Sequence, residues 1–396
     1  MNTEIAPGIY YTGVNQRSNK PFESLWPLPC GISYNSYLIV DEKVALIDIA
    51  EESLHAGHAL LLKEILGDRP VDYVIINHME PDHTGALRDL YHLYPDLTVI
   101  GNAKTLEMLK GFYGINPKTI EIRDGDIFTM GSRQLKFFLT PMVHWPETMM
   151  TYDISTATLF SGDAFGCYGA LNGNVIDADM ELSKYWEEMR RYYATIVGKY
   201  GIPVQSALKK LKGVQINLLC STHGPVWKTH IQQAMGYYER YSLYESLPGV
   251  VIAYGSMYGN TSLLAEHLAK SLAYNGIRNI EVFDVASTDS SFILSAIFQW
   301  KGVILGGPVY NGALFPPLQY LMDEIRSRGI KDRVFGSFGT YAWGKAPLSG
   351  FSQFAGELGW QNLTPTIEQK YTLQESEFAA CDRLAAELSK AMQIEI

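Results

Sequence analysis

One short segment of the chain concentrates side chains that can bind metal ions. Residues 77–85 read N-H-M-E-P-D-H-T-G, and the candidate ligands among them are His78, Glu80, Asp82 and His83. The segment follows an apolar run at 71–76 and precedes a helical pattern at 86–92, which predicts a strand-to-helix turn. We expect Pro81 to prevent a regular helix or strand here, so that the side chains can converge on one point.

Further candidate ligands follow apolar runs that predict strands at 135–140, 157–162 and 216–221. These ligands are His144, Asp163 and His223. Layered α/β folds assemble sites where strands end at one edge of a sheet. Six or seven ligands from four strand ends can hold two metal ions. The remaining histidines are not grouped with other candidate ligands, and we interpret them as surface or packing residues: His55, His58, His92, His230 and His267.

A different pattern follows the predicted strand at 250–254. The loop and the start of the helical run after it contain Ser256, Met257, Tyr258, Gly259, Asn260 and Thr261. Hydroxyl groups, glycine and the unpaired N–H groups of a helix start together form a phosphate cradle. The loop lacks both the lysine of a nucleoside triphosphate loop and the G-x-G-x-x-G spacing of a dinucleotide loop. Its S-x-x-G-N-T pattern resembles the phosphate loop of flavodoxins.

Two later loops also follow apolar runs, at 302–305 and 333–336. The candidates in these loops are Pro308, Val309, Tyr310 and Asn311, and then Thr340, Tyr341, Ala342, Trp343 and Gly344. Aromatic side chains beside small residues can stack on a flavin ring while backbone groups meet its polar edge. The three loops therefore predict a flavin mononucleotide (FMN) site.

The pattern of predicted strands and helices that carry these residues changes along the chain. Up to about residue 246, short strands alternate with helices and turns, which indicates mixed α/β layers. From residue 250, short apolar strands alternate with helix-length segments, which indicates a parallel sheet covered on both faces. A Pro-Gly pair at 248–249 ends the helical run 230–245. We therefore predict an α/β protein with domains at 1–246 and 250–396.

Composition limits the class of protein. The 396 residues are 47% apolar and predict two or three folded domains. With 32 basic and 42 acidic residues the net charge is −10, which argues against nucleic acid as a partner. The sequence shows neither a secretory signal nor a membrane-spanning run, so we expect a soluble cytoplasmic protein without a membrane partner. The four cysteines form no C-x-x-C pair, so an iron–sulfur electron donor would be another polypeptide.

The metal ligands resemble the metallo-β-lactamase superfamily, whose first cluster usually reads H-x-H-x-D-H. Here Glu80 replaces the second histidine. A carboxylate is a harder, more anionic ligand than imidazole and favours a redox pair of irons over zinc. The H-x-E-x-D variant resembles the flavodiiron proteins. The resemblance implies that His78, Glu80 and His144 bind one iron, that Asp82 and His223 bind the other, and that Asp163 bridges them. The resemblance leaves open whether His83 binds iron, because that position is commonly not a ligand in flavodiiron proteins.

The order of the two motif sets also resembles this family. It implies an N-terminal metallo-β-lactamase-like αββα diiron domain followed by a flavodoxin-like, doubly wound FMN domain. The family reduces dioxygen to water, or nitric oxide to nitrous oxide. Two ferrous ions and one reduced flavin together hold the four electrons that dioxygen requires.

The resemblance also implies partners. The family forms a head-to-tail homodimer, or a dimer of such dimers, in which one subunit's flavin lies beside the partner's irons; Glu80 and Trp343 are expected near that junction. Because the sequence ends at Ile396 without a rubredoxin segment, we expect an external donor, either rubredoxin or a reduced deazaflavin.

The sequence departs from the family in two places. Residues 21–27 lack the histidine of an F-H-G-Y-like segment that lines the iron pocket in many family members, which bears on the choice between oxygen and nitric oxide. Residues 340–345 read T-Y-A-W-G-K in place of S-Y-G-W-G-G. The alternatives are a zinc-dependent hydrolase fused to a flavin module, against which Glu80 counts, and a flavin-only electron carrier with a metal-free first domain.

Overall fold

The computed structural model describes residues 3–18 and 20–392 and divides the chain into two units, residues 1–242 and 243–396. The division falls slightly before the predicted boundary at 246. The Pro-Gly pair at 248–249 lies within the first strand of the second unit, Leu247–Tyr254. Pairing of this strand is irregular between Leu247 and Val250, which is where a proline without an N–H group is tolerated.

Strands of the first unit form two main sheets. In chain order they are β1 (Thr3–Ala6), β2 (Ile9–Tyr11), β3 (Val14–Gln16), β4 (Ile32–Tyr34), β5 (Tyr37–Val40), β6 (Val44–Ile47), β7 (Tyr73–Ile75), β8 (Thr98–Gly101), β9 (Lys118–Glu121), β10 (Ile127–Met130), β11 (Arg133–Leu139), β12 (Met149–Asp153), β13 (Thr158–Gly162) and β14 (Leu218–Ser221). The first sheet has the order β1-β2-β5-β6-β7-β8-β9, the second has the order β10-β11-β12-β13-β14, and β3 pairs with β4.

Helices lie on the outer sides of these sheets. They are α1 (His55–Leu66), α2 (Pro81–Thr84), α3 (Leu87–Leu93), α4 (Ala103–Tyr113), α5 (Ser183–Tyr192), α6 (Gly201–Leu211) and α7 (Ile231–Ser242). A 3₁₀ turn precedes α1 at Glu52–Leu54, another lies at Asp177–Asp179, and a π-helical segment at Tyr193–Val197 continues α5.

The layers are held by apolar side chains on alternating faces of the strands. Leucines of α1, α3 and α4 pack with Leu46, Val74 and other strand residues on one face of the first sheet. On the other face, the Tyr37 ring lies 5.3 Å from the ring of Phe160 in the second sheet. Helix α6 packs against α7, and Lys210 of α6 donates a hydrogen bond to the Leu139 carbonyl of β11. The result is the αββα sandwich that the sequence predicts.

Strands and helices alternate through the second unit. The strands are β15 (Leu247–Tyr254), β16 (Ile280–Asp284), β17 (Trp300–Tyr310), β18 (Ala313–Leu314), β19 (Val334–Tyr341), β20 (Gln361–Asn362) and β21 (Ile367–Lys370). The helices are α8 (Asn260–Tyr274), α9 (Ser290–Gln299), α10 (Pro316–Arg328), α11 (Gly350–Leu358) and α12 (Glu375–Ala391), with a 3₁₀ turn at Ala346–Ser349.

The main sheet of this unit has the order β16-β15-β17-β19-β20, and its pairings are parallel. Helices α8 and α12 pack against a core that includes Ile252, Ile304 and Leu388, while α9 and α10 contact β15 and β17. The order places β16 and β17 on opposite sides of β15, so the loops after β15 and β17 border a crevice. The predicted doubly wound sheet is confirmed.

The turn at the metal-binding segment differs from the prediction. Residues Pro81–Thr84 form one turn of helix, with Pro81 at its first position and Glu80 immediately before it. Proline is tolerated at the first helical position, where its missing N–H has no partner to lose. Among the described residues, every helix is too short or too polar to cross a lipid bilayer.

Candidate functional site

Strand ends position the predicted metal ligands. His78 follows β7 closely, and Glu80, Asp82 and His83 lie at or in the single turn of α2. His144 lies in the connection between β11 and β12. Asp163 directly follows β13, and His223 lies two residues beyond β14. Because β13 and β14 are parallel neighbours, their ends bring the last two residues to the same edge of the second sheet.

His78, Glu80, His144 and one oxygen of Asp163 converge, and we call this group site 1. The Nε2 atom of His78 lies 3.1 Å from Oε2 of Glu80 and 3.3 Å from Nε2 of His144. The Nε2 atom of His144 lies 3.1 Å from both Glu80 Oε2 and Asp163 Oδ2. Atoms about 2.0–2.2 Å from a common metal ion are about 3–3.6 Å apart, so this spacing suits a single cation.

Asp82, His83 and His223 form a second group, which we call site 2. The Nε2 atom of His223 lies 3.3 Å from Asp82 Oδ2, and the Nε2 atom of His83 lies 3.2 Å from Asp82 Oδ1. His83, whose role the sequence left open, therefore directs a ring nitrogen into this group.

Asp163 lies between the two groups. Its Oδ2 atom faces site 1, 3.1 Å from His144, whereas its Oδ1 atom faces site 2, 2.9 Å from Nε2 of His83. One carboxylate thus presents one oxygen to each group, which is the arrangement of a bridging ligand.

Site 2 contains buried polar atoms that form no hydrogen bond within the described chain. They are both carboxylate oxygens of Asp82, both ring nitrogens of His83 and Nε2 of His223. The close approaches of these atoms to one another lack hydrogen-bond geometry. Leaving a buried polar group unpaired costs about 1–3 kcal/mol, and one bound cation would satisfy Asp82, Nε2 of His83 and Nε2 of His223 together. The residues therefore fit a metal pair.

The electrostatics of the site also favour cations. Burial disfavours charged imidazoles, yet neighbouring carboxylates raise the pKa of His144 and that of His83 to about 9. They also raise the pKa of His78 well above its usual range. Burial opposes ionisation of Asp163, but the surrounding histidines hold the pKa of its carboxyl well below its usual value. The carboxylates demand positive charge, which protons supply in the metal-free protein and metal ions can replace.

The sequence analysis missed several residues that orient the ligands. Buried Glu147 accepts hydrogen bonds from Nδ1 of His78 (2.7 Å) and from the backbone N–H of Met79 (2.9 Å). The Ser33 carbonyl accepts one from Nδ1 of His223 (2.8 Å). The Thr222 hydroxyl donates to Oδ1 of Asp163 (2.6 Å). The nearness of Glu147 and Thr222 in sequence to His144 and His223 was the one available signal.

Aromatic rings surround the inner side of site 2. The rings of Phe22, Tyr34 and Tyr192 pack against the ring of His223. The ring of Tyr168 packs against that of Tyr192. On the other side, the Trp145 ring lies 5.2 Å from His78. This wall shields the ligands from water and lowers the local dielectric.

The segment at 21–27, which lacks the family's histidine, brings a carboxyl group to the site instead. Glu23 lies in a tight turn closed by a hydrogen bond from Phe22 N–H to the Trp26 carbonyl (2.8 Å). Burial, the charge of Glu80 and a hydrogen-bonding contact with Glu80 raise the pKa of Glu23 to about 7. Two carboxyl groups this close share a proton more readily than they both ionise.

A cavity of about 630 Å³ lies in the second unit, and its lining matches most of the predicted flavin residues. They are Ser256, Met257, Tyr258, Asn260, Thr261, Pro308, Val309, Asn311, Thr340, Tyr341, Ala342, Trp343 and Gly344. Gly259 and Tyr310 are not in the lining: the Gly259 N–H donates to the Ser256 hydroxyl (3.1 Å), and the Tyr310 ring packs near Phe315.

The lining also contains residues that the sequence analysis did not select: Gly312, Ala346, Pro347, Tyr371 and Thr372. The last two follow β21, which pairs with the end of β19, so their position after a strand was a usable signal. The described residues of the lining carry no formal charge.

One end of this cavity has the features of a phosphate cradle. Helix α8 begins at Asn260 after Gly259, whose φ is +98°, and no side chain in the described chain caps its first turn. The N–H groups at a helix start attract anions. The hydroxyls of Thr261 and Thr340 are 2.8 Å apart and link this loop to the loop after β19. The residues therefore fit FMN.

Comparisons with known proteins agree with this geometry. The model of the ODP family beta lactamase matches residues 32–224, and the flavodoxin model matches residues 252–382. An uncharacterized protein of Methanocaldococcus jannaschii is 32% identical over 363 residues, which covers 91% of each chain.

Two further relatives carry descriptive names. The anaerobic nitric oxide reductase flavorubredoxin of Escherichia coli is 27% identical over 365 residues, 91% of this chain and 76% of the relative. A flavo di-iron protein variant from Thermotoga maritima superposes with a TM-score of 0.91, at 26% identity, over 99% of this chain and 98% of the other. The two motif sets, the two folds and these likenesses place the chain in the flavodiiron protein family, whose members are oxidoreductases with FMN and a diiron centre.

Proposed function

We propose that this chain reduces dioxygen to water, nitric oxide to nitrous oxide, or both, with electrons relayed through FMN from an external donor. The observation that carries the proposal is the convergence of buried histidine and carboxylate ligands into two groups that share Asp163. The nitric oxide reductase name of the Escherichia coli relative supports one of the two substrates.

The proposal assigns the diiron centre to residues 1–246. His78, Glu80 and His144 would hold one iron, Asp82 and His223 the other, and Asp163 would bridge them. The direction of the His83 ring nitrogen supports adding His83 to the second iron. When bound, the iron pair supplies two electrons and adjacent positions where dioxygen or nitric oxide can react.

The side chains around the ligands have separate tasks. Glu147 and the Ser33 carbonyl fix the tautomers of His78 and His223 so that each Nε2 is free to bind metal. The aromatic wall excludes water from the inner side of site 2. Glu23, beside Glu80, has a pKa raised to about 7, so its carboxyl group can take up or release a proton near neutral pH.

The proposal assigns FMN binding to residues 250–396. Its phosphate would lie at the start of α8, near Ser256, Gly259, Asn260 and Thr261, and its ring beside the later loops. The residues proposed there are Met257, Tyr258, Pro308, Val309, Tyr310, Asn311, Thr340, Tyr341, Ala342, Trp343 and Gly344. The uncharged lining suits a neutral ring system.

Elemental analysis and absorbance of protein from iron-sufficient cells test the cofactor assignment. We expect about two irons and one FMN per chain, because hard carboxylate ligands favour iron. A Glu80→His variant provides the control, since it restores the imidazole of the zinc enzymes and should raise zinc uptake. Zinc with little iron in the parent protein, after anaerobic preparation, would instead favour a hydrolase.

The substrate is tested by reducing the protein anaerobically and mixing it with dioxygen or nitric oxide in a stopped-flow instrument. Rapid reoxidation of FMN by at least one gas is expected in the parent protein. Reoxidation should slow strongly in a Glu80→Ala variant that retains FMN. Equal rates in the two proteins would show that the iron site takes no part.

A His83→Asn variant tests the added ligand. If His83 binds iron, one of the two irons should become easier to remove with a chelator, while FMN content stays unchanged. If His83→Asn retains iron as the parent does, His83 has a structural role and does not bind iron.

The donor and the assembly are also part of the proposal. We propose rubredoxin or a reduced deazaflavin as the donor, a head-to-tail homodimer or dimer of dimers with Glu80 and Trp343 near the junction, and a cytoplasmic location. Anaerobic reduction of the FMN by each candidate donor distinguishes the two donors.

Subunit mixing tests the head-to-tail arrangement. A Glu80→Ala chain and a Thr261→Val chain deficient in FMN are dissociated together and reassembled. Mixed dimers should regain gas reduction, because one subunit's flavin then serves the partner's intact irons. Mixtures that stay as inactive as the separate variants would argue for electron transfer within one chain.

A further inference from the structure

The residues that contact the ligands from behind differ between the two metal groups. At site 1, the outer nitrogen of His78 donates to the carboxylate of Glu147 at 2.7 Å. At site 2, the outer nitrogen of His223 donates to the neutral carbonyl of Ser33 at 2.8 Å. A carboxylate partner makes an imidazole more electron-rich than a carbonyl partner does, and it strengthens the bond to a metal.

Glu147 also restrains site 1 mechanically. Its Oε1 atom accepts a hydrogen bond from the N–H of Met79, the residue between the ligands His78 and Glu80. Glu147 itself lies three residues after the ligand His144. It is 1% exposed, and its second oxygen, Oε2, has no hydrogen-bond partner among the described residues. Its charge is therefore little screened by solvent and acts mainly on site 1.

The two oxygens of the shared Asp163 carboxylate also differ as metal donors, and this difference again favours site 1. Its Oδ1 atom, which faces site 2, accepts a hydrogen bond of 2.6 Å from the Thr222 hydroxyl. That bond withdraws electron density from Oδ1 and weakens it as a metal donor. The Oδ2 atom, which faces site 1, receives no hydroxyl from the described chain.

Two other carboxyl groups lie near the ligands: Glu23, which contacts Glu80 of site 1 and works against this difference, and Asp48. Asp48 directly follows β6 near His83 and His78, and its oxygens accept hydrogen bonds from the N–H and the side-chain amide of Asn77 (2.7 and 3.1 Å). Within the described residues it hydrogen-bonds to no ligand histidine. It therefore leaves the inequality between the two sites in place.

We infer that site 1 binds its metal ion more tightly than site 2, and that Glu147 and Thr222 set the difference from opposite sides. Site 1 would fill first and empty last, and its greater negative charge would favour the more oxidised ion. The inference rests on the proposed diiron function and adds an order of loading to it.

Metal titration of the full-length protein, with FMN bound and metal removed by a chelator, tests the inference. Co²⁺ is added anaerobically against a competing chelator and followed by its visible absorption. The parent protein should bind two ions in separate phases. A His78→Ala variant should lose the tighter phase, and a His223→Ala variant should lose the weaker one.

Substitutions of Glu147 and Thr222 should change the metal affinities in opposite directions. Glu147→Gln should weaken the tighter phase by about 10- to 100-fold and leave the weaker phase unchanged. Thr222→Val should strengthen the weaker phase by about two- to tenfold, the equivalent of one hydrogen bond. Both variants bring the two affinities closer together.

Matched controls separate this effect from general damage. Glu181→Gln removes a surface carboxylate, and Thr158→Val removes a buried hydroxyl that bonds to Thr156 (2.8 Å). Both controls should titrate as the parent does. FMN content and circular dichroism identify any variant that has failed to fold, and Glu147→Asp should recover part of the lost affinity.

The outcomes are distinguishable. Two ions of equal affinity in the parent, a Glu147→Gln effect on the weaker phase, or a Thr222→Val variant with a looser site 2 would each overturn the inference and leave the proposed function standing. Binding of fewer than two ions would overturn the diiron assignment and the inference with it.

Discussion

Glu80 is the residue that most narrows the choice of metal. An imidazole at this position would give a nitrogen-rich site suited to zinc, whereas the carboxylate adds a hard oxygen and a negative charge. Glu80 lies 3.1 Å from both His78 and His144, so it belongs to site 1 in space as well as in sequence. Its neighbour Glu23 adds a carboxyl group with a pKa raised to about 7, in the segment where many family members have a histidine.

His58 shows how a histidine outside the metal groups affects stability. It is buried on α1, with Nε2 3.2 Å from the Ser36 hydroxyl, and burial lowers its pKa to about 4. The unfolded chain takes up a proton near pH 6.5 and the folded chain does not. Folding should therefore lose up to about 3 kcal/mol from this group as the pH falls from 6.5 to 4.

A His58→Gln variant tests this pH dependence. Urea unfolding of metal-free protein at several pH values should show a shallower acid-side loss of stability in the variant than in the parent. A His55→Gln variant, which changes an exposed histidine, is the control and should behave as the parent. Parallel pH profiles for His58→Gln and the parent would contradict the assignment.

At the scale of elements, loops after strand ends supply both candidate sites. In the first unit the ends of β7, β13 and β14 and the β11–β12 connection carry the ligands. In the second unit the loops after β15, β17, β19 and β21 line the cavity. Strand ends are fixed by the sheet, so the loops inherit well-defined positions.

The hydroxyl pair of Thr261 and Thr340 joins two of these loops. Thr340→Val removes the 2.8 Å contact and should raise the dissociation constant for FMN by about three- to tenfold, because the phosphate loop loses a support. Flavin fluorescence during titration of the FMN-free protein measures this constant. Ser337→Ala is the matched control, since Ser337 lies on β19 like Thr340, its hydroxyl contacts that of Thr366, and it lies outside the cavity lining. Equal FMN dissociation constants for Thr340→Val and Ser337→Ala would show that the Thr261–Thr340 contact does not support FMN binding.

Asn102 connects a helix start to the metal group. Its side chain caps α4 by accepting from the N–H groups of Lys104 and Thr105, and its amide donates to the Glu147 carbonyl. Asn102→Ala should cost about 1–2 kcal/mol in unfolding free energy and should also hasten metal loss to a chelator. Asp289→Ala removes a comparable cap from α9 in the other unit, so it should lower stability without affecting the metal. Metal loss at the parent rate in Asn102→Ala would contradict this coupling.

At the scale of the whole molecule, each unit has its own core and its own candidate site. The core of the second unit is built from β15, β17, β19, α8 and α12, and the cavity lining lies within residues 256–372. A domain with a complete core of its own can fold independently.

Residues 243–396 expressed alone should therefore fold and bind FMN. Circular dichroism should show a cooperative thermal transition, and bound flavin should remain after gel filtration. A Thr261→Val version of the fragment should fold equally well but retain less FMN. An aggregated fragment, or a folded fragment without flavin, would show that the first unit contributes to this site.

The sequence by itself determined the ligand types, their order and the αββα and doubly wound layers. Alternating apolar runs identify strands locally, and H-x-E-x-D-H and S-x-x-G-N-T place chemistry directly after them. It did not reveal that Pro81 begins a helical turn, because proline both starts and interrupts helices.

Only the tertiary structure decided which side chains meet. Glu147 and Thr222 contact ligands 69 and 59 residues away, Glu23 faces Glu80 across 57 residues, and Tyr371 reaches the flavin cavity from the end of β21. The direction of His83 into site 2 likewise depends on the packing of α2. Sequence patterns record local periodicity, whereas these contacts arise from how sheets bring distant strand ends together.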